Sequence, residues 1–187
     1  MGPQGDRSQL TALLGEYAAA HPQESACWQR FQKFVDAQAR CFDRDCFDDG
    51  HVTGSAWVVS PDRQEVLLTH HKKLNIWVQL GGHSDGNPDP MAVATTEAVE
   101  ESGLEVRILS SRAFDLDIHL IPARKNDPQH YHYDVRFAFQ AASRAFHVSN
   151  ESHALAWVPI TELATYTTEA SMLRMQRKWL NYKLEDV

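Results

Sequence analysis

Two glycines, a proline and three closely spaced glutamates constrain this chain more than any other feature. Residues 81–104 read Gly-Gly-His-Ser-Asp-Gly-Asn-Pro-Asp-Pro-Met-Ala-Val-Ala-Thr-Thr-Glu-Ala-Val-Glu-Glu-Ser-Gly-Leu. The pattern predicts a glycine turn followed by a helix that carries Glu97, Glu100 and Glu101. These stand at i, i+3 and i+4, so a 3.6-residue helix places all three on one face. With Glu97 at zero, Glu100 falls at roughly 300° and Glu101 at roughly 40°, while Met91, Ala92, Ala94, Ala98 and Val99 fill an apolar arc. Carboxylates this close repel one another unless a cation joins them. A solvated acidic stripe would account for the charges alone, but the context adds more. Residues 76–80, Ile-Trp-Val-Gln-Leu, read as a buried strand just before the glycines, and Gly103 stands where a helix C-cap glycine belongs.

This stretch resembles the Nudix hydrolase box: Gly, five residues, Glu, seven residues, then Arg-Glu-apolar-any-Glu-Glu-any-Gly-apolar. Gly82 takes the box glycine, Glu97-Ala98-Val99-Glu100-Glu101 the core, and Gly103-Leu104 the close, with no insertion across the 23 residues. Pro88 stands at the first box glutamate and Thr96 at the arginine before the core. The strand before the box and the segment Trp-Val-Pro-Ile-Thr-Glu-Leu at 157–163 also look like this family, so the resemblance runs from about His51 to the C-terminal helix. It implies an α/β/α sandwich with a mixed sheet over residues 51–187, preceded by an N-terminal helical extension at 1–50.

Composition agrees with one enzyme-sized domain. The chain has 187 residues, 43% hydrophobic and 23% charged, enough for a core of ordinary size. A net charge of −7 disfavours a long nucleic-acid backbone as partner, while divalent cations leave a small anionic substrate open. No stretch approaches a membrane span or a secretion signal, and the cytoplasm is the default expectation. Cys27, Cys41 and Cys46 lack paired spacing, which argues against a disulfide framework. Cys41 and Cys46 make at most a weak zinc pair, since no second pair completes it.

Residues 9–20 and 26–42 read as helices separated by His21-Pro22. Trp28, Phe31, Val35, Ala39 and Phe42 form one apolar stripe on the second, which is expected to pack on the body. The alternatives are a lid or an arm for a homodimer. Strands are expected at 52–60, 65–69, 76–80, 106–110, 114–121, 131–141 and 154–158, with helices at 160–164 and 171–183. This order suits a mixed sheet between helices.

The resemblance implies water attack on a diphosphate linkage in a nucleoside diphosphate derivative. Hard oxygen ligands suit Mg2+ or Mn2+. Glu97, Glu100 and Glu101 would be the metal ligands, one carboxylate serving as general base, with the Gly81 carbonyl as a further ligand beside Gly82. Thr96 replaces an arginine that orients the carboxylates, and Asp85 or Asp89 would have to stand in for Pro88. A nucleotide-binding or sensor protein without turnover is therefore the alternative. Glu151 lies where many of these enzymes place an extra ligand or base. His83, His130 and His132 are expected in the same cleft as the acidic helix, since His130 and His132 alternate along one strand face. Some Nudix-like chains carry a similar Gly-Gly-His and later His-x-His. A transition-metal site of His83, His130 and His132 is a third reading. Asp115 and Asp117 alternate nearby, with surface solvation their simpler account. Trp57, Trp77 and Trp157 read as packing, and residues 70–73, His-His-Lys-Lys, as a solvated basic turn.

Overall fold

The structure, a computed structural model, describes residues 6–72, 74–124, 127–150 and 152–182. Two helices, α1 (Ser8–Ala20) and α2 (Ser25–Ala37), open the chain, joined by a short 3-10 turn at Pro22–Glu24. Strands β1 (His51–Val59), β2 (Glu65–His71), β3 (Trp77–Val78) and β4 (Leu80–His83) lead to helix α3 (Pro90–Ser102). Then come β5 (Val106–Ile108), β6 (Asp115–Ile121), β7 (His130–Ala141), β8 (Ser152–Pro159), a 3-10 turn at Ile160–Thr165, and α4 (Ala170–Leu180). No helix among the described residues is long and apolar enough to cross a membrane.

The sheet is mixed. β1 and β7 run parallel in continuous register, from His51 beside His132 to Val59 beside Gln140, and every other pairing is antiparallel. β1 meets β4 along Thr53–Ala56 and β2 only at Val59, so the sheet forks on that side. Along β7, β6 takes the first half and β5 the end.

Period-two alternation divides the sheet into two faces. Val52, Ala56 and Val58 of β1 and Tyr133, Val135 and Phe137 of β7 point into one core, shared with Leu10, Leu14, Phe31, Val35, Ala94 and Ala98 of the first three helices. Trp57 and Val59 point the other way, into a core with Ala138, Leu163, Met172 and Met175. Helices α1, α2 and α3 thus cover one face and α4 part of the other, the expected α/β/α sandwich. The N-terminal helices pack on the body as expected, Phe34 stacking on Tyr133 with ring centroids 3.7 Å apart.

Some boundaries differ from expectation. Helix α2 stops at Ala37, so Phe42 is buried from the following turns rather than from the helix stripe. Gly81 and Gly82 form part of β4, not a turn. The turn comes at Ser84–Asn87, where the Asn87 amide donates to the Ser84 carbonyl. Gly103 caps α3 in the left-handed conformation, as expected.

A buried charge network ties α4 and the 3-10 turn after α1 to β6 and β7. Arg136, 2% exposed, donates to Asp134 at 2.7 Å and to Asp115 at 3.2 Å. Arg174 holds Asp115 at 2.7 Å, and Lys178 reaches both Asp115 and Glu24. Asp115 is fully buried, so it is not the solvated surface residue that the sequence suggested. Burial alone would raise its pKa, but the hydrogen bond from Arg174 and the charges of Arg136, Lys178 and Arg174 bring it below the usual carboxylate value. A depressed folded pKa contributes stability above the unfolded value of about 3.9, lost as pH falls through the folded value. Asp115→Asn is therefore expected to cost about 3–5 kcal/mol at neutral pH. In urea titrations its deficit against the parent should shrink as pH drops below about 3.9; a deficit unchanged by acid would show that the charge of Asp115 is not what stabilises the fold.

Candidate functional site

A cleft of about 1070 Å³ opens where the α4-side face of the sheet runs out of apolar side chains. On β1 the sequence passes from Trp57 in the core to Ser55, Thr53 and His51 in the cleft. Along β7 it passes from Ala138 to Arg136, Asp134, His132 and His130. β4 adds Gly81 and His83, and β6 adds Asp117 and His119. Leu74, Ile76, Val78 and Leu120 supply apolar wall, while Arg44, Arg124 and Arg174 bring positive charge. This volume and mixture suit an organic ligand with an anionic end.

The floor is fixed by hydrogen bonds. Asp134 accepts from Thr53 Oγ1 at 2.8 Å and Ser55 Oγ at 2.7 Å, and its other oxygen accepts from Arg136. Both hydroxyls and the guanidinium are therefore held before any ligand arrives.

Five imidazoles gather at the open end. His51 lies 4.7 Å from His132 and 5.1 Å from His83 by ring centroid, and His83 and His132 are 5.1 Å apart. His130 and His132 bring their Nε2 atoms to 3.3 Å, and His119 Nδ1 sits 3.0 Å from Asp117 Oδ2. Asp117 thus supports a histidine and two arginines rather than facing solvent alone. Burial, reinforced by the neighbouring His130 and Arg44, pushes the His51 pKa down to about 4. Burial and then the surrounding imidazoles hold His132 far below its ordinary value. Both rings are neutral at physiological pH and keep a lone pair to offer.

The acidic helix lies on the other face. Gly54 of β1 has α3 so close that a Cβ there would stand 3.0 Å from Val93 Cβ. Gly54 pairs with Gly82, and a Cβ on Gly82 would overlap the Glu97 carboxylate and displace it from its place against the strand. Glu101 is buried and accepts from the Gly81 amide at 2.9 Å. Glu100 is exposed, and Val99, expected to face the core, is 44% exposed. The packing side of α3 therefore runs through Val93, Ala94, Ala98 and Glu101, and the three glutamates do not share one outward face. Asp89 is the helix N-cap, one of its oxygens accepting from the Met91 and Ala92 amides at 3.0 Å. Asp85 lines the cleft, exposed.

The register corrects one expectation. His83 pairs with Thr53 and points into the cleft, while Gly82 faces Glu97, so the histidines and the glutamates occupy opposite faces of β4. A one-residue step along a strand reverses the side chain, and that step separates His83 from the glutamates. The two groups are close only through the glycine backbone: Gly81 and Gly82 line the cleft, yet contact Glu101 and Glu97. His51, Asp134 and Arg136 escaped sequence reading, although polar residues alternate at 51, 53, 55 and at 130, 132, 134, 136. Trp57 is core, as expected, and none of Trp57, Trp77 and Trp157 lines the cleft. Glu151 lies outside the described residues, as does Lys73 of the basic turn, whose His71 does line the cleft.

No protein-family model and no curated protein matches the sequence. Solved structures do resemble it. A Nudix-family hydrolase from Clostridium perfringens superposes with a TM-score of 0.57 at 24% identity, covering 71% of this chain and 98% of that one. The dihydroneopterin triphosphate pyrophosphohydrolase of E. coli gives 0.54 at 14% identity, over 70% of this chain and 96% of that one. The Nudix domain of Shewanella oneidensis NrtR, solved with ADP ribose, gives 0.51 at 14% identity, over 80% and 96%. These superpositions, each over at least 70% of this chain, show its architecture: the chain has the Nudix hydrolase fold.

Proposed function

We propose that this protein hydrolyses a diphosphate linkage in a nucleoside diphosphate derivative, using residues 51–187, with the helices of residues 1–50 as an extension that completes the core. The observation that carries this reading is the placement of the Glu97 and Glu101 carboxylates against Gly82 and Gly81, two glycines that themselves line a nucleotide-sized cleft holding arginines.

The donor set fits Mg2+ or Mn2+ in its chemistry. Glu97, Glu101 and the Gly81 carbonyl are hard oxygen donors on adjoining backbone, and Glu100 lies one turn from Glu97 on the same helix. A divalent cation there supplies charge neutralisation of the diphosphate and a more acidic attacking water. The chain supplies the rest. Arg44 and Arg124 attract the phosphates into the cleft, the apolar wall of Leu74, Ile76 and Val78 takes the nucleoside, and the Gly81 amide fixes the direction of Glu101. That amide does what the family's arginine would do from the position of Thr96.

A second reading, nucleotide binding without turnover, is favoured by Thr96, Pro88 and the outward Glu100. An Mg2+-dependent assay over ADP-ribose, dinucleoside polyphosphates and nucleoside triphosphates separates the two. Turnover of any of them supports the enzyme, whereas calorimetric binding with no product supports the sensor.

Glu100→Gln and Glu101→Gln are each expected to lower kcat by about 100-fold or more, the scale on which acid–base groups act. The fold should persist, because a glutamine at 101 still accepts from the Gly81 amide. Parent-like rates at saturating Mg2+ would remove these residues from the chemistry.

Thr96→Arg provides a separate check. With Glu101 already held by the Gly81 amide, the added guanidinium is expected to leave kcat nearly unchanged. A gain on the roughly 10–100-fold scale of orienting partners would mean the carboxylates are poorly held in the parent.

A further inference from the structure

We propose that His51, His83 and His132 form a binding site for one divalent transition-metal ion of the zinc class, with a remaining coordination position open to the cleft. The site lies on the face of β4 opposite the glutamates and stands independently of the hydrolase reading.

The geometry is that of a ligand set. One nitrogen from each of these rings lies within 4.8 Å of the others, and among the described residues this is the group of three potential ligands that converges so closely. Three imidazoles around one tetrahedral ion, with metal–nitrogen bonds of about 2.0–2.1 Å, have ring centroids about 5 Å apart. The observed separations are 4.7, 5.1 and 5.1 Å. Interplanar angles of 47°, 52° and 86° show that the rings are tilted to one another and not stacked.

His51 supplies an independent observation. It is 1% exposed, and its Nε2 is buried without a hydrogen-bond partner. Its Nδ1 faces the Cys46 carbonyl at 3.3 Å, so Nδ1 carries the proton and donates, leaving a lone pair on Nε2. A buried polar atom left unsatisfied costs free energy, and a bound cation would remove that cost. A histidine whose far nitrogen donates to a carbonyl is also how proteins orient metal ligands. His130, with Nδ1 at 2.7 Å from the Pro128 carbonyl, and His119, beside Asp117, flank the site with similarly fixed rings.

The donor type selects the metal. Neutral imidazoles suit zinc, copper, nickel or iron, whereas Mg2+ prefers oxygen. Three histidines leave a tetrahedral ion one free position, the pattern of zinc sites that bind water or substrate. Here His83 and His132 are half-buried cleft residues, so that position would face an incoming phosphate or carboxylate oxygen.

The full-length protein, stripped with a chelator, should bind one equivalent of Co2+ with the visible absorption of a four-coordinate ion, and Zn2+ should displace it. His51→Gln and His132→Gln should each weaken Zn2+ binding beyond the roughly 100-fold typical of changes behind the ligands. The Glu97→Gln, Glu100→Gln, Glu101→Gln triple variant should keep the single equivalent. X-ray absorption on zinc bound to the parent protein needs no variant, and it should show about three histidine nitrogens. Absence of stoichiometric binding, an all-oxygen zinc shell, or binding lost in the glutamate variant but kept in both histidine variants would overturn the site.

Discussion

The parallel pairing of β1 with β7 is the constraint on which the rest of this molecule depends. Its register sets His51, Thr53 and Ser55 beside His132, Asp134 and Arg136, nine consecutive pairs without a bulge. Because side chains alternate, that register places every polar residue of both strands on one face and the intervening Val52, Gly54 and Ala56 on the other. A slip of one residue would put imidazoles under the helices and valines in the cleft. Arg136 and Asp134 anchor the pairing from below, with neighbouring hydroxyls and carboxylates satisfying both. Buried charges of this kind contribute little net stability, but losing one partner is costly, so they specify the arrangement more than they strengthen it.

The acidic helix α3 is positioned by glycines in neighbouring strands. Gly54 lets α3 approach the sheet, and Gly82 leaves room for the Glu97 carboxylate. Gly81 then turns its amide on Glu101. The backbone of β4 is the wall between two chemistries, hard carboxylate oxygens on one side and imidazole nitrogens on the other. The two meet only through the backbone of Gly81 and Gly82, which lines the cleft and contacts Glu101 and Glu97.

Local signals carried much of this in the sequence. The helix, its glycine cap and the strands around it follow from periodicity and punctuation, and the box resemblance added the sandwich. Where sequence reading failed, the missing information was relational. Periodicity puts the glutamates on a helix, but which of them face the sheet depends on how α3 sits over Gly54. Alternation puts the histidines on strands, and the same alternation makes Gly82 and His83 point in opposite directions, which separates the histidines from the glutamates. That step was available from the residues alone. His51 was harder, because nothing local distinguishes one histidine at a strand start from the others; its partners lie 32 and 81 positions away, at His83 and His132. Asp115 and Arg136 looked like ordinary charged residues because their burial comes from α4, packed across the sheet from a distant part of the chain.

The central claim is that β4 separates two cation sites of different chemistry on its two faces. Crystals of the protein soaked with Mn2+ and Zn2+, with anomalous diffraction collected on both sides of each absorption edge, test it directly. The account predicts a zinc peak among His51, His83 and His132, and a separate manganese peak against Glu97, Glu101 and the Gly81 carbonyl. Both metals in one position, or zinc held by the glutamates with the histidines empty, would contradict it.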